Sequence, residues 1–342
     1  MISLLHPAMR LAEKVSFLSS PEAYSHRPQR VQTIETHMSW VFLTGSLVYK
    51  LKKPVRYPFL DFTTLAVRKR LCATEVRLNR RLAGDVYRRL VALRRDAGGR
   101  PSIRGTGEIV DWLIEMEQLP ADDMLDNRVR AGRVETDEVV AVAERLGQFY
   151  AAARPQVRLG GAYLAHLVEE SSVSRELLMR PAWGLDARLT ADILDRVERL
   201  LRQWSPIIRE RIADGKIVEG HGDLRPEHIC LRHPPTIIDC LEFDQNMRLL
   251  DPYDEVNYLG LECKMMGAGW IRPLLLTTLE GILGGRPEPQ LMCTYGAFRA
   301  VLRARICLAH LLDPEPMQPY RWPSEARSYL SLAHAECLKA EG

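Results

Sequence analysis

From residue 31 to about 60 the chain alternates apolar and polar positions in a β-like way. VQTIETHMSWVFLTGSLVYKLKKPV holds two runs rich in Val, Ile, Phe, Trp and Tyr around Thr44-Gly45-Ser46, a pattern that predicts a hairpin. Over 63–83, TTLAVRKRLCATEVRLNRRLA, the period becomes helical, with Leu65, Leu71, Val76 (or Cys72), Leu78 and Leu82 on one side. Short strands are expected near Leu90–Leu93 and Ile109–Met116, after which QLPADDML breaks the pattern as a linker. Beyond 121 the helical period dominates. Thr136-Asp137-Glu138 caps a helix running towards Ala153, and Thr190 with Asp192 starts another that reaches about Ala213. A β-like island at 217–243 interrupts before helices resume after Asp251.

The expected fold class is α+β and bilobal. A small β-rich N-terminal lobe covers residues 1–119 and a larger, mainly helical lobe covers 120–342. The crevice between two such lobes is the natural ligand site. No internal repeat or low-complexity tract is present.

Composition excludes more than it selects. With 46% hydrophobic and 27% charged residues the chain reads as a soluble, well-packed protein. A net charge of +3 gives no global basic field for nucleic acid. No apolar run approaches the roughly 18–20 residues of a membrane span. The opening MISLLHPAMRLAEK is broken by His6, Pro7 and Arg10 before any signal-peptide core could form. Seven cysteines, an odd number without a CxxC pair, suit reduced thiols, so a cytoplasmic protein is expected. The arginine-rich run from Arg68 to Arg100 has only Tyr87 interleaved with it and reads as a solvated helix face. His228, Cys230, His233 and Cys240 match no closed four-ligand zinc spacing, and Cys230 and Cys240 read as inward hairpin residues.

The candidate chemistry lies in VEGHGDLRPEHICL, residues 218–231, where Asp223 follows a glycine on a loop. After it, HICL and TIID are apolar runs separated by Arg232-His233-Pro234-Pro235, a hairpin expected to return Asp239 beside residue 228. An acid at 223, a polar ligand at 228 and an acid at 239 are the parts that phosphoryl transfer uses. One carboxylate positions the acceptor hydroxyl, and the other groups hold the metal that bridges the phosphates.

HGDLRPEHICL, followed by IIDCLEF and LLDPYDEV, resembles the aminoglycoside phosphotransferase family of protein-kinase-like enzymes, whose motif reads roughly H-G-D-x-x-x-x-N, I-D-F and D-P-x-x-D. ETHMSWVFLTGSLVYKLKKP, with FLDFTTL and LNRRLA downstream, is similar to one bacterial branch of that family. Members of that branch often carry a P-loop kinase domain fused C-terminally. No GxxxxGK[ST] occurs in these residues, so a member without that domain is expected. The resemblance runs from about residue 20 to 265 and is most specific in the catalytic region.

The resemblance implies a protein-kinase-like fold and a role for each matched residue. Asp223 matches the catalytic aspartate and His221 the histidine that packs under its loop. Asp239 matches the metal-binding aspartate. His228 stands where the family carries the asparagine metal ligand, a poorer magnesium ligand but a better one for manganese. Asp251 and Glu255 match the structural D-P-x-x-D, with Glu255 replacing its second aspartate. Lys50 matches the phosphate lysine, and Lys52, two residues on and on the same strand face, is the competing choice. Glu75 matches the helix glutamate that holds this lysine. Met116-Glu117-Gln118-Leu119 resembles the hinge whose backbone, at Glu117 and Leu119, contacts adenine. Thr36–Ser39 occupies the place of the phosphate-covering loop without its glycines, which makes Ser39 a candidate phosphate contact. Glu242 is a candidate support for the metal from outside its ligand set.

The expected function is ATP-dependent transfer of the γ-phosphoryl group to a hydroxyl of a small molecule, with Mg2+, or Mn2+, as the metal. The rival is a nucleotide-binding pseudokinase acting as a regulatory or interaction module. Retention of both carboxylates and Lys50 favours activity. A polycationic antibiotic would call for many carboxylates. GWIRPLLLTTLEG and YGAFRAVLRARICLAHLL, in the C-terminal third, carry no such cluster.

Overall fold

The structure, a computed structural model, describes residues 9–57, 60–157, 160–313 and 316–342. It divides into two compact units, one of Met1–Asp123 with Thr236–Phe243 and one of Met124–Pro235 with Asp244–Gly342.

In the first unit a mixed run of strands forms a six-stranded sheet in the order β1-β2-β3-β8-β6-β7. These are β1 (Gln32–Glu35), β2 (Ser39–Leu43), β3 (Leu47–Lys52), β6 (Tyr87–Arg95), β7 (Pro101–Ile103) and β8 (Glu108–Glu117), all paired antiparallel. A separate two-stranded pair joins β4 (Arg56–Tyr57) to β5 (Leu60–Asp61). The hairpin expected around residues 44–46 is the β2–β3 turn, where Gly45 sits at φ +90°, a left-handed value that suits glycine.

Alternation sorts the faces of β3. Tyr49 and Leu51 pack with Leu18 of α1 (Leu11–Leu18), Phe42, Val91, Leu93 and Leu113 on one side of the sheet. Lys50 and Lys52 therefore point to the other side, where α2 (Leu65–Ala83) lies through Cys72, Val76 and Ala83 against Tyr87 and Ile114. The Thr64 hydroxyl accepts from the Val67 amide at 3.3 Å and starts α2. Its inner face also buries Arg68, Glu75 and Asn79.

Arg68 departs from the solvated face expected of the arginine run. It grips Asp111 with two parallel bonds, Nε to Oδ1 at 2.8 Å and Nη2 to Oδ2 at 3.0 Å, and Lys14 joins the same carboxylate at 2.7 Å. Periodicity registers a polar residue but not the partner that a neighbouring strand supplies. Arg70, Arg77 and Arg80 do lie exposed as expected.

The second unit is mainly helical. It contains α3 (Leu125–Arg130), α4 (Thr136–Ala151), α5 (Gly160–Leu178), α6 (Ala187–Ala213), α7 (Pro252–Met265), α8 (Ile271–Leu283), α9 (Pro289–Ala309) and α10 (Trp322–Glu341). Short strands β9 (Val218–Glu219) and β12 (Leu249–Leu250) pair antiparallel, and β10 (Ile229–Cys230) lies between them in sequence. β11 (Thr236–Ile237) belongs to the first unit. The core draws on Tyr163 and Leu167 of α5, Ile193, Val197 and Leu200 of α6, Tyr295 and Phe298 of α9 and Leu330 of α10.

Two helix starts differ from expectation. α6 begins at Ala187, capped by Asp186, whose carboxylate accepts from the Leu189 amide at 3.0 Å, while Thr190 is buried inside the helix. A shorter carboxylate upstream outcompetes the threonine as cap. For α4 the cap is Glu135, and the Glu138 carboxylate returns to its amide at 2.9 Å. All seven cysteines are free thiols. Among the described residues, no helix is long and apolar enough to cross a membrane.

Candidate active site

In the first unit, β3 and α2 position a cluster of charged side chains. Lys50 Nζ donates to Glu75 Oε1 at 2.8 Å and to Asp239 Oδ1 at 2.6 Å. Lys52 Nζ donates to the other oxygen of Glu75 at 2.5 Å and to Glu242, and stands 5.3 Å from the centre of the Phe62 ring. Both lysines thus hold Glu75, but they differ in access. The Lys50 side chain is 14% exposed and the Lys52 side chain 1%. Lys50 is the one that a ligand could reach.

The electrostatics follow from this pairing. Burial alone would lower the Lys50 pKa, but Asp239 and Glu75 outweigh it and hold the ammonium well above its ordinary value. Burial would raise Glu75, and Lys50 and Lys52 together bring it below the ordinary carboxyl value. Glu242 goes the other way, because its burial outweighs Lys52 and raises its pKa.

Asp239 has φ +64°, a left-handed conformation uncommon for a non-glycine residue, and its side chain is 43% exposed. Two side chains fix the backbone there. The Asp239 amide donates to the Tyr87 hydroxyl at 3.1 Å, and the Cys240 amide donates to Asn79 Oδ1 at 2.9 Å. Asn79 stands one turn after Glu75 on the same face of α2, so one helix stripe places both the lysine's partner and the aspartate's backbone clamp. Neither Tyr87 nor Asn79 was singled out by the sequence, although the spacing of Glu75 and Asn79 was a usable signal.

The other expected contacts of this unit have plain surroundings. Glu117 pairs with Leu47 at the end of β8, and the following Gln118 amide donates to the Ser46 carbonyl at 3.0 Å. Leu119 packs against the cluster under α2. Ser39 is buried opposite Lys52, and its amide donates to the Thr36 hydroxyl at 2.9 Å.

The second unit carries the catalytic-loop candidates. His221 is fully buried, and its Nδ1 accepts from the Asp223 amide at 3.3 Å. Gly222 has φ +91°, so the loop turns sharply before Asp223, whose side chain is 37% exposed. Glu255 of α7 holds the turn from below. Its two oxygens accept the His221 amide at 3.0 Å and the Gly222 amide at 2.6 Å, and the Tyr150 hydroxyl adds a third bond at 2.6 Å. A Cβ on Gly220 would lie 2.6 Å from that carboxylate, which explains a glycine there. Asp251 caps α7 through the Tyr253 amide at 3.0 Å and pairs with Arg211, again 3.0 Å apart. His228 Nδ1 lies 2.8 Å from the Asp223 carbonyl oxygen. A carbonyl only accepts, so Nδ1 carries the proton and Nε2 the lone pair.

The residue types suit a divalent metal in part. Asp239 presents a hard oxygen on a fixed backbone, and His228 presents an imidazole whose other nitrogen is anchored, the usual arrangement of a ligating histidine. Among the described residues, no cluster of three or more His, Cys, Asp or Glu side chains could hold a metal unaided.

Comparison with known proteins defines the class of fold. No family model matches the chain. Over 280 residues it is 29% identical to an uncharacterized protein of Mycobacterium tuberculosis, and equally to one of Mycobacterium bovis, with 80% of this chain and 53% of the relative aligned. The chain thus spans about half the length of the curated relatives it matches. Among solved structures, a choline/ethanolamine kinase family protein from Mesorhizobium loti superposes with a TM-score of 0.54 at 15% identity, covering 96% of this chain and 95% of that one. A choline kinase from Cryptosporidium parvum gives 0.53 at 10% identity, covering 94% of both chains. The choline kinase LicA from Streptococcus pneumoniae gives 0.50 at 13%, covering 93% and 96%. The chain has a protein-kinase-like fold, with a curled antiparallel sheet in its N-terminal part and a helical C-terminal part, as the sequence led us to expect.

Proposed function

We propose that the chain is an ATP-dependent phosphotransferase that moves the γ-phosphoryl group to a hydroxyl of a small molecule. One observation carries this reading. A partly accessible lysine is closed on a buried helix glutamate and on an aspartate held in a left-handed backbone conformation. A lysine fixed this way is a positive point for phosphate oxygens, and phosphoryl transfer depends mainly on positioning and charge.

Each unit contributes its own groups. Lys50, held by Glu75, binds phosphate oxygens, and the backbone at Glu117 and Leu119 binds the adenine. Asp239 would hold a divalent metal, which when bound neutralises phosphate charge, and His228 offers an imidazole nitrogen of its own to such an ion. Asp223 orients the acceptor hydroxyl. The acceptor oxygen forms the new bond to the γ-phosphorus while the bond to the β–γ bridging oxygen breaks. ADP leaves with that electron pair, and the hydroxyl proton passes to Asp223.

The test is a metabolite library incubated with the protein, ATP and Mg2+ and read by mass for the gain of one phosphoryl group. Asp223→Asn should retain nucleotide binding and lose at least about 10²-fold in turnover, the scale of removing a positioned acid–base group. Nucleotide binding without transfer to any acceptor would instead favour a regulatory pseudokinase. Unchanged turnover in the Asn variant would refute the assignment of this loop.

A further inference from the structure

We propose that the acceptor is a hydroxylated anion, whose carboxylate or phosphate group is held by Arg303 with help from Arg225. This rests on the phosphotransferase reading, which makes the surroundings of Asp223 the place where the acceptor must sit.

Beside Asp223 lie buried donor atoms without a hydrogen-bond partner. Arg225 stands two residues after Asp223 on the same loop, and Arg303 reaches in from α9. The Nε of each guanidinium and the hydroxyl of Tyr258, on α7, are buried without a hydrogen-bond partner. Native interiors rarely leave such groups unpaired, because a buried donor without an acceptor forfeits the bond it made with water. Here two of the three groups are cationic, and all three feel the charge of Asp223.

Nearby acids offset this positive charge in part, with Glu262 and Asp223 acting on Arg303 and Glu227 on Arg225. Glu227 pairs with Arg225 through Nη2. Glu262, buried on α7, accepts the Tyr329 hydroxyl at 2.9 Å. Among the described residues, Arg303 forms no ion pair. Its guanidinium instead lies 5.5 Å from the centre of the Tyr329 ring. Arg303 is half-buried, and the Arg225 side chain is 23% exposed.

A guanidinium fork fits carboxylate or phosphate oxygens in a way that a lone ammonium does not. A quaternary ammonium acceptor would meet like charge at Arg303, whereas an oxyanion would complete it. Arg225 follows Asp223 by two residues on the same loop. Asp223 takes the hydroxyl proton while the arginines fix the acidic end of the same molecule.

The test uses four small probes, glycerate, glycerol 3-phosphate, glycerol and choline. Each is titrated by calorimetry into the whole chain, both nucleotide-free and saturated with ADP and Mg2+. Glycerate or glycerol 3-phosphate should bind about 10- to 100-fold more tightly than glycerol or choline, the scale of one charge-assisted pair. Which of the two anions leads distinguishes a carboxylate from a phosphate acceptor. Arg303→Gln should abolish the preference for the anion over glycerol, and Arg303→Lys should restore part of it. The wild-type comparison stands even if the Gln variant fails to fold. Equal or weaker binding of both anions, or a preference that survives Arg303→Gln, overturns the proposal. Failure of ADP to bind would strike the phosphotransferase reading instead, and the nucleotide-free titrations would still show whether the arginines select anions.

Discussion

Lys50 and Lys52, two residues apart on β3, hold opposite oxygens of the same Glu75 carboxylate, at 2.8 and 2.5 Å. One carboxylate therefore anchors two ammonium groups on the face of the sheet that α2 covers. The pair looks symmetrical, but exposure separates the roles, since Lys50 reaches Asp239 and solvent while Lys52 is sealed against Glu242 and Phe62.

Their alanine variants should fail in different ways. Lys50→Ala should weaken nucleotide binding or turnover. Lys52→Ala leaves Glu242 without its buried lysine and takes one of two lysines from Glu75, so it should act mainly on stability, by about 3–5 kcal/mol. Nucleotide titration and urea unfolding of both variants measure the split. A Lys52 variant that folds normally but loses nucleotide would move the phosphate lysine two positions along the strand.

Glu75→Gln removes the shared anchor and should destabilise the protein by about 3–5 kcal/mol, because two buried cations lose a partner. The pH dependence has a definite sign. Burial pushes the Glu75 carboxyl up, but the two lysines outweigh it and hold it below 4.5 in the folded protein. A lowered carboxyl contributes stability above its unfolded value and loses it as pH falls through the folded value. The gap between wild type and Glu75→Gln should thus stay level through neutral pH and close only below about 4.5. Unfolding free energies across that range measure it, and a gap that closes already near neutrality would contradict the assigned pairing.

How much of this was legible in the sequence depends on the kind of signal. The β2–β3 hairpin and the face of Lys50 follow from strict alternation, and the loop at Asp223 from a short motif that contains Gly220 and Gly222. Arg68 was misread because a helical period cannot distinguish a solvated arginine from one clamped on Asp111 of a strand 43 residues away. The same limit hid Tyr87, which meets Asp239 across a separation of 152 residues. Arg303 sits in a run of alternating arginines and apolar residues on α9, and only the packed structure reveals that its buried Nε has no hydrogen-bond partner among the described residues.

Glu255 ties the catalytic turn to α7 through two amides and the Tyr150 hydroxyl. Glu255→Ala would remove the acceptor of one buried and one part-buried amide, at about 1–3 kcal/mol each. The variant should melt earlier and lose turnover, since the position of Asp223 depends on that turn. Glu255→Asp, one methylene shorter, should fall between the two. Melting temperature and turnover should decline together across the series. Full activity in the Ala variant would show that the turn holds without this clamp.

The last prediction concerns His228, which stands where the family resemblance places an asparagine. Its Nδ1–H bonds the Asp223 carbonyl, so the nitrogen with the lone pair is Nε2. An imidazole nitrogen suits manganese better than magnesium, whereas an asparagine carbonyl gives magnesium the oxygen it prefers. The wild-type protein should accordingly show a higher Mn2+/Mg2+ activity ratio than His228→Asn. The side-chain amide of the variant can still donate to the Asp223 carbonyl, so the loop keeps its bond while the ligand atom changes from nitrogen to oxygen. Metal titrations of activity in both proteins measure the ratio. Equal ratios would confine His228 to bracing the catalytic loop, with the substitution registering only in stability, and would leave the roles of Asp223 and Lys50 untouched.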